Sequence, residues 1–410
     1  MRLLGFLALV LLVGCGAVAD DPPPGPPPAW SAGTQAAADG VNRFTFDLYA
    51  KVRDKPGSTT LSPFSISTAF AMLADGANGP TRDELVTALH LPADATTLPA
   101  VGDLGRYYAA GGRPYELNVA NALWGQKGYP WKPEFLARQR ERFGAKLADH
   151  DFRADADGGR RAVNTWVEQR TKDRIKNLFP PKSVDQDTRL ILANAVYFKG
   201  KWADEFKPAA TSDQPFTRAD GSKSPVPLMF RTGHYRHAPL DGFQVLELPY
   251  QGGDLAMAVI LPADHTGLPA VEAKLADAPA WLGKLADTSD VRVYLPRFKA
   301  EAEFDLPTTL KGMGVKRAFD PTGADLFGLV THLPPGDANL FVSGAFHKAF
   351  VEVNEQGTEA AAATGIAVKA TAAVERPQPI TFRADRPFVF LIRDVKHGTV
   401  LFLGRYAGPG

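Results

Sequence analysis

The chain has one cysteine in 410 residues, at position 15. No intrachain disulfide can form, so any folded domain must be held by burial and hydrogen bonding alone. Charge of one sign is missing too: 46 basic residues stand against 45 acidic ones. Nothing in that balance points to a nucleic-acid or polyanion partner. Catalytic signatures are absent. There is no Gly-x-Ser-x-Gly, no His-Glu-x-x-His and no Gly-rich phosphate loop closing on Lys-Ser/Thr. The eight histidines are scattered, only His234 and His237 being close in sequence, and no metal site or other cofactor is expected. Asp155-Ala156-Asp157-Gly158 has the start of a calcium loop but carries Arg160 where the sixth residue must be glycine, so it reads as a turn. Arg138, Arg140 and Arg142, interrupted by Glu141, read as a solvated helix face.

What the chain does have begins at its N-terminus. Arg2 precedes an apolar run from Leu3 to Val13, eleven residues and too short to span a bilayer. It reads as a bacterial-type export signal. Leu12-Val13-Gly14-Cys15 is similar to a lipobox, which would lipidate Cys15 and hold the exported protein on a membrane, facing the periplasm or the cell surface. Ala17-Val18-Ala19 offers the alternative of simple cleavage and secretion. The signal and anchor region is therefore placed at 1–19. A proline-rich tether follows over 20–33, with Pro22 to Pro28 favouring extended polyproline II. One folded domain is expected over 34–410, with 45% hydrophobic content to build a large core.

Within that domain, Arg161 to Phe179 shows Val163, Trp166, Val167, Ile175 and Leu178 at helical spacing and stops at Pro180-Pro181. Leu190 to Lys199 reads as a buried strand. Phe388 to Ile392 and Val400 to Leu403 flank the turn signal His397-Gly398-Thr399. Such mixing indicates an α+β fold with mainly antiparallel sheets.

The most unusual stretch is 355–371, seventeen residues without proline. Thr358, Ala360, Ala362, Thr364, Ile366 and Val368 form one alternating set, free of charge. Gly357, Glu359, Ala361, Ala363, Gly365, Ala367 and Lys369 form the other. The segment could lie inside a sheet with its charges outward. Its alanines favour a helix instead, which glycines at 357 and 365 would limit to about two turns. On the residues alone both readings stand.

The blocks around that stretch decide between them by resemblance. Ser62-Pro63-Phe64-Ser65-Ile66-Ser67, Asn121-Ala122-Leu123-Trp124 and Asn194 to Trp202 resemble, in order, segments of the serpin family. So do His347-Lys348-Ala349-Phe350, Arg383 to Phe390 and Leu401 to Arg405. Together they span about residues 40–406. The resemblance implies the serpin fold: three mainly antiparallel sheets, about nine helices and an exposed reactive-centre loop. It implies that Glu355, Gly357, Thr358, Glu359, Ala360, Ala361, Ala362, Ala363 and Thr364 form the hinge. Ser62, Ser65, Asn194, Trp202 and His347 would form the region where the large sheet opens.

The function implied is that of a protease inhibitor, not an enzyme. A serine protease would attack the loop, form a covalent acyl-enzyme, and be trapped as the cut loop enters the large sheet as a new strand. Thr358 would leave solvent first. Family spacing from Glu355 places the reactive bond at Thr371–Ala372, where small residues suit an elastase-like or subtilisin-like protease. Lys369 and Arg376 are the alternatives. The partners implied are that protease and, through lipidated Cys15, a membrane, with no nucleic acid and a monomeric state. A non-inhibitory serpin acting as a surface-binding or chaperone-like module is the second expectation.

Overall fold

The computed structural model describes residues 26–92, 97–358 and 379–409. Cys15, the hinge residues Glu359, Ala360, Ala361, Ala362, Ala363 and Thr364, and the bond candidates Lys369, Thr371, Ala372 and Arg376 lie outside the described residues. Trp30, within the expected tether, packs into the fold. Its ring stacks on His397 at 3.8 Å between centroids and meets Tyr107 edge-on. The Ser31 hydroxyl then caps the first helix, Ala32–Val52, by accepting from the Thr34 amide.

A six-stranded sheet runs in the order Phe298–Asp305, Gly344–Asn354, Gly357–Thr358, Leu190–Lys201, Tyr115–Gln126, Leu147–His150. The three expected sheets meet in two hydrogen-bonded ladders. The eighteen-residue strand Lys223–Leu240 pairs with Ser212–Thr217 over 223–228, with Ala286–Pro296 over 228–237 and with Phe243–Pro249 over 236–240. It thereby joins two sheets into one nine-stranded sheet that also holds Leu255–Pro262, Phe388–Asp394 and Val400–Tyr406. The hairpin read at His397-Gly398-Thr399 joins those last two strands, with Gly398 at φ +79°.

Nine α-helices occur among the described residues. Pro63–Ala74 is buried at all twelve positions, because it is apolar apart from Ser65, Ser67 and Thr68 and sits between the sheets and the other helices. The helix expected over 161–179 instead spans Ala156–Arg170. Asp155 caps its start by accepting from the Gly158 amide at 2.8 Å. Positive φ at Lys172, Asp173 and Asn177 ends helical geometry, and Ile175 and Leu178 reach the core from turns. This helix covers one face of the six-stranded sheet, burying Ala120, Ala122, Trp124, Ala193, Ala195 and Tyr197 beneath Val163 and Val167. The opposite face turns toward the rest of the core.

Candidate functional site: the seam of the large sheet

Leu190–Lys201 and Gly344–Asn354 run parallel and pair directly over seven residues, from Ile191–Gly344 to Tyr197–Phe350. Near their C-terminal ends they part, and the two-residue strand Gly357–Thr358 lies between them. Thr358 pairs with Val353 on one side and Gly200 on the other. Two groups of polar side chains sit along this seam.

The first group lies under its middle. Alternation turns Asn121, Asn194 and His347 to the inner face, the same face as Leu192, Val196, Ala345 and Ala349. There they meet Ser62 and Ser65 at the start of the buried helix. The Ser62 amide donates to His347 Nε2 at 3.1 Å, so the ring proton sits on Nδ1 and is donated to Asn194 Oδ1. Asn194 Nδ2 donates to Ser65 Oγ at 2.8 Å and to its carbonyl at 2.9 Å, and also reaches Asn121 Oδ1. The Ser62 hydroxyl donates to the Leu401 carbonyl at 2.6 Å, tying the group to the nine-stranded sheet. Desolvation holds His347 down to about 3, so the imidazole is neutral at physiological pH. His347 and Asn194 are register partners across the seam, so their contact joins the two strands themselves.

The second group closes the parted end. Thr358 is fully buried, and its hydroxyl shares a 2.7 Å hydrogen bond with that of Tyr250, itself buried and titrating above the usual phenol range because of that burial. Thr358 was expected to leave solvent first; it is already seated, because the strands diverge here and offer backbone partners on both sides. Gly357 is required next to it. At φ +149° a Cβ would come within 2.1 Å of the Gly200 carbonyl oxygen. Trp202 stacks on Tyr250 at 4.7 Å, and its indole N–H donates to the Asn354 carbonyl at 3.0 Å. Glu355 is held by Arg297 and by the Thr211 hydroxyl at 2.7 Å, while its carbonyl accepts from the Phe206 amide. Burial would push this carboxyl up, but Arg297 and Thr211 keep it below the ordinary range.

Ser62, Ser65, Asn194 and His347 thus converge on one point. Trp202 joins Glu355, Gly357 and Thr358 at another. Asn121, Tyr250, Arg297 and Thr211 belong to these groups and were not singled out from the sequence. Asn121 carried a signal, a polar residue in step with Leu117, Val119 and Leu123. On helix Pro133–Phe143, Arg140 is exposed as the solvated reading expects, while the other two arginines of the cluster have a scaffold role. Arg138 at 2.8 Å and Arg142 at 2.5 Å both bind the buried carboxylate of Asp75.

The family description "Serpin (serine protease inhibitor)" matches residues 39–409. The chain belongs to the serpin family. It is 38% identical over 384 residues to the human leukocyte elastase inhibitor, covering 90% of this chain and 98% of that one. Mouse antithrombin-III is 37% identical over 380 residues, 90% of this chain and 80% of the other. An uncharacterized serpin-like protein of Thermococcus kodakarensis is 37% identical over 375 residues, 90% of this chain and 85% of that one. Among solved structures, Serpin48 of the insect Tenebrio molitor superposes with a TM-score of 0.83 at 30% identity, covering 93% of this chain and all of the other. Serpins of this kind are protease inhibitors rather than enzymes, and the named inhibitors among the relatives support that function here.

Proposed function

We propose that this serpin traps serine endopeptidases covalently by inserting its cut loop into the six-stranded sheet. The observation that carries the reading is the seated Gly357–Thr358 strand. The chain enters the loop from a position already inside the sheet, between the two strands that a longer insert would have to separate. In the reaction the protease serine hydroxyl adds to the Thr371 carbonyl carbon, the Thr371–Ala372 amide breaks, and Ala372 leaves as an amine while an ester holds the enzyme. Residues beyond Thr358 then continue the strand. About ten new backbone hydrogen bonds at ~1 kcal/mol each favour this by roughly 10 kcal/mol, enough to displace and distort the attached enzyme.

Small residues flanking the reactive bond favour an elastase-like or subtilisin-like target; Lys369 or Arg376 would select a trypsin-like one. Incubation with a pancreatic-type elastase, a subtilisin and trypsin, followed by denaturing gels, tests both points. A band at the summed mass of the two proteins is expected, and the mass of the released C-terminal peptide identifies the bond. Cleavage by all three without such a band sinks the trapping reading. Export and lipidation of Cys15 complete the proposal, read from the sequence of the first nineteen residues. Loss of membrane association on Cys15→Ala is the expected result.

A further inference from the structure

The seam has a third fastening, at the end opposite the seated hinge. Asp337 lies in the segment leading into Gly344–Asn354. Arg189 immediately precedes Leu190–Lys201, and Arg153 follows Leu147–His150. Arg153 Nη2 contacts the two Asp337 oxygens at 2.7 and 2.8 Å, and Arg189 Nε contacts them at 3.3 and 3.2 Å. We propose that Asp337, gripped by Arg189 and Arg153, is a clasp that sets the threshold for opening the sheet to an incoming strand. The inference rests on the strand-insertion reading above.

The two arginines belong to the half of the sheet that contains Tyr115–Gln126, Leu147–His150 and Leu190–Lys201. Asp337 belongs to the half with Phe298–Asp305 and Gly344–Asn354, and the seated hinge lies between these halves. Directly above the clasp the Ser343 amide donates to the Leu190 carbonyl at 2.9 Å, and the direct ladder begins. A strand inserted along the whole seam moves its flanks apart by about 4.8 Å. Contacts near 3 Å do not survive that displacement, so full insertion must release the carboxylate or drag its loops. The grip is strong for a surface pair. Asp337 and Arg189 are only 9% and 13% exposed, which limits screening, while Arg153 at 44% contributes less. Although burial opposes it, hydrogen bonding by Arg189 and the charges of both arginines hold the carboxyl below its ordinary range, so the clasp stays charged at neutral pH.

The test uses the full chain, its Asp337→Asn and Arg153→Met variants, and a synthetic peptide of residues 359–371 as the incoming strand. Peptide uptake is read by native-gel mobility, and melting temperatures are compared for intact and loop-cleaved protein. Asp337→Asn should take up peptide about tenfold faster. It should lower the melting temperature of the intact protein while leaving the cleaved form at the wild-type value, because there the clasp is already released. Arg153→Met, which keeps the Arg189 contact, should give a smaller acceleration. Equal loss of melting temperature in both forms with unchanged uptake would make Asp337 ordinary scaffold and overturn the clasp. Should Asp337→Asn fail to fold, Arg153→Met decides, and unchanged uptake again overturns it. If wild-type protein neither accepts peptide nor gains melting temperature on cleavage, the insertion reading itself fails and the clasp falls with it.

Discussion

The two ends of one seam differ. Where Leu190–Lys201 and Gly344–Asn354 approach Trp202, they are held apart by Gly357–Thr358. Along the preceding residues they pair directly, with His347 and Asn194 joined beneath them. The parted end is held by side chains outside the ladder, Tyr250 and Trp202 and the Glu355–Arg297 pair. The closed part is held by the ladder itself and by a polar group whose Ser62, Ser65, Asn194 and His347 are fully buried. On the insertion reading the sheet therefore has no opening to nucleate. Separation is already started at one end, and the resistance to it would be concentrated in the middle and, with the proposed clasp, at the base.

Thr358→Arg breaks the comparison most severely. A guanidinium has no partner in the site filled by the Tyr250 hydroxyl, so the parted end should be expelled at a cost of about 3 kcal/mol or more. Cleaved substrate should then replace trapped complex on denaturing gels; undiminished trapping would show that the seated strand is not the origin of insertion. Asn194→Ala acts on the closed part. It strands the His347 N–H and leaves Ser65 short of a donor, costing about 1–3 kcal/mol in denaturant unfolding. An unchanged midpoint would mean that the group is not a fastening.

Acid separates the two ends by pH. His347 titrates at its ordinary 6.5 when unfolded and near 3 when folded, so the unfolded state binds the extra proton between those values. Native stability should fall as pH drops from 6.5 toward 3, by at most about 1.4 kcal/mol per pH unit from this group. Glu355 has its folded value depressed from 4.5, so its contribution is present above that pH and lost only below it. His347→Gln should flatten the slope between pH 6.5 and 4.5, measured by unfolding at each pH. A slope identical to wild type would assign the acid sensitivity elsewhere. Tyr250→Phe should have the smallest effect, about 1 kcal/mol, seen as faster hydrogen exchange at the Thr358 amide with the ladder at 191–197 unaffected.

Much of this was legible in the sequence because it is local or periodic. The strand at 190–199 showed its apolar run, the hairpin at 397–399 its turn residues, and the polar group its place in blocks resembling serpins. What stayed hidden depends on partners far apart in the chain. Asp337 meets Arg189 across 148 residues and Arg153 across 184, and nothing in those loops marks the pairing. Asp75 draws Arg138 and Arg142 inward in the same way, against the solvated face their spacing suggested. The helix at 156–170 was misjudged because Ile175 and Leu178 continue an apolar period after the backbone has stopped being helical. The seated hinge was hidden because alternation gives a strand's facing, and says nothing of how far it has already advanced.

That advance has a consequence for timing. On the insertion reading, the ester with the protease survives only until water reaches it, so trapping is a contest between strand travel and hydrolysis. A loop that had first to find its gap would lose part of that interval to searching. Here the gap is found, Thr358 is in register with Val353 and Gly200, and travel begins from a running start.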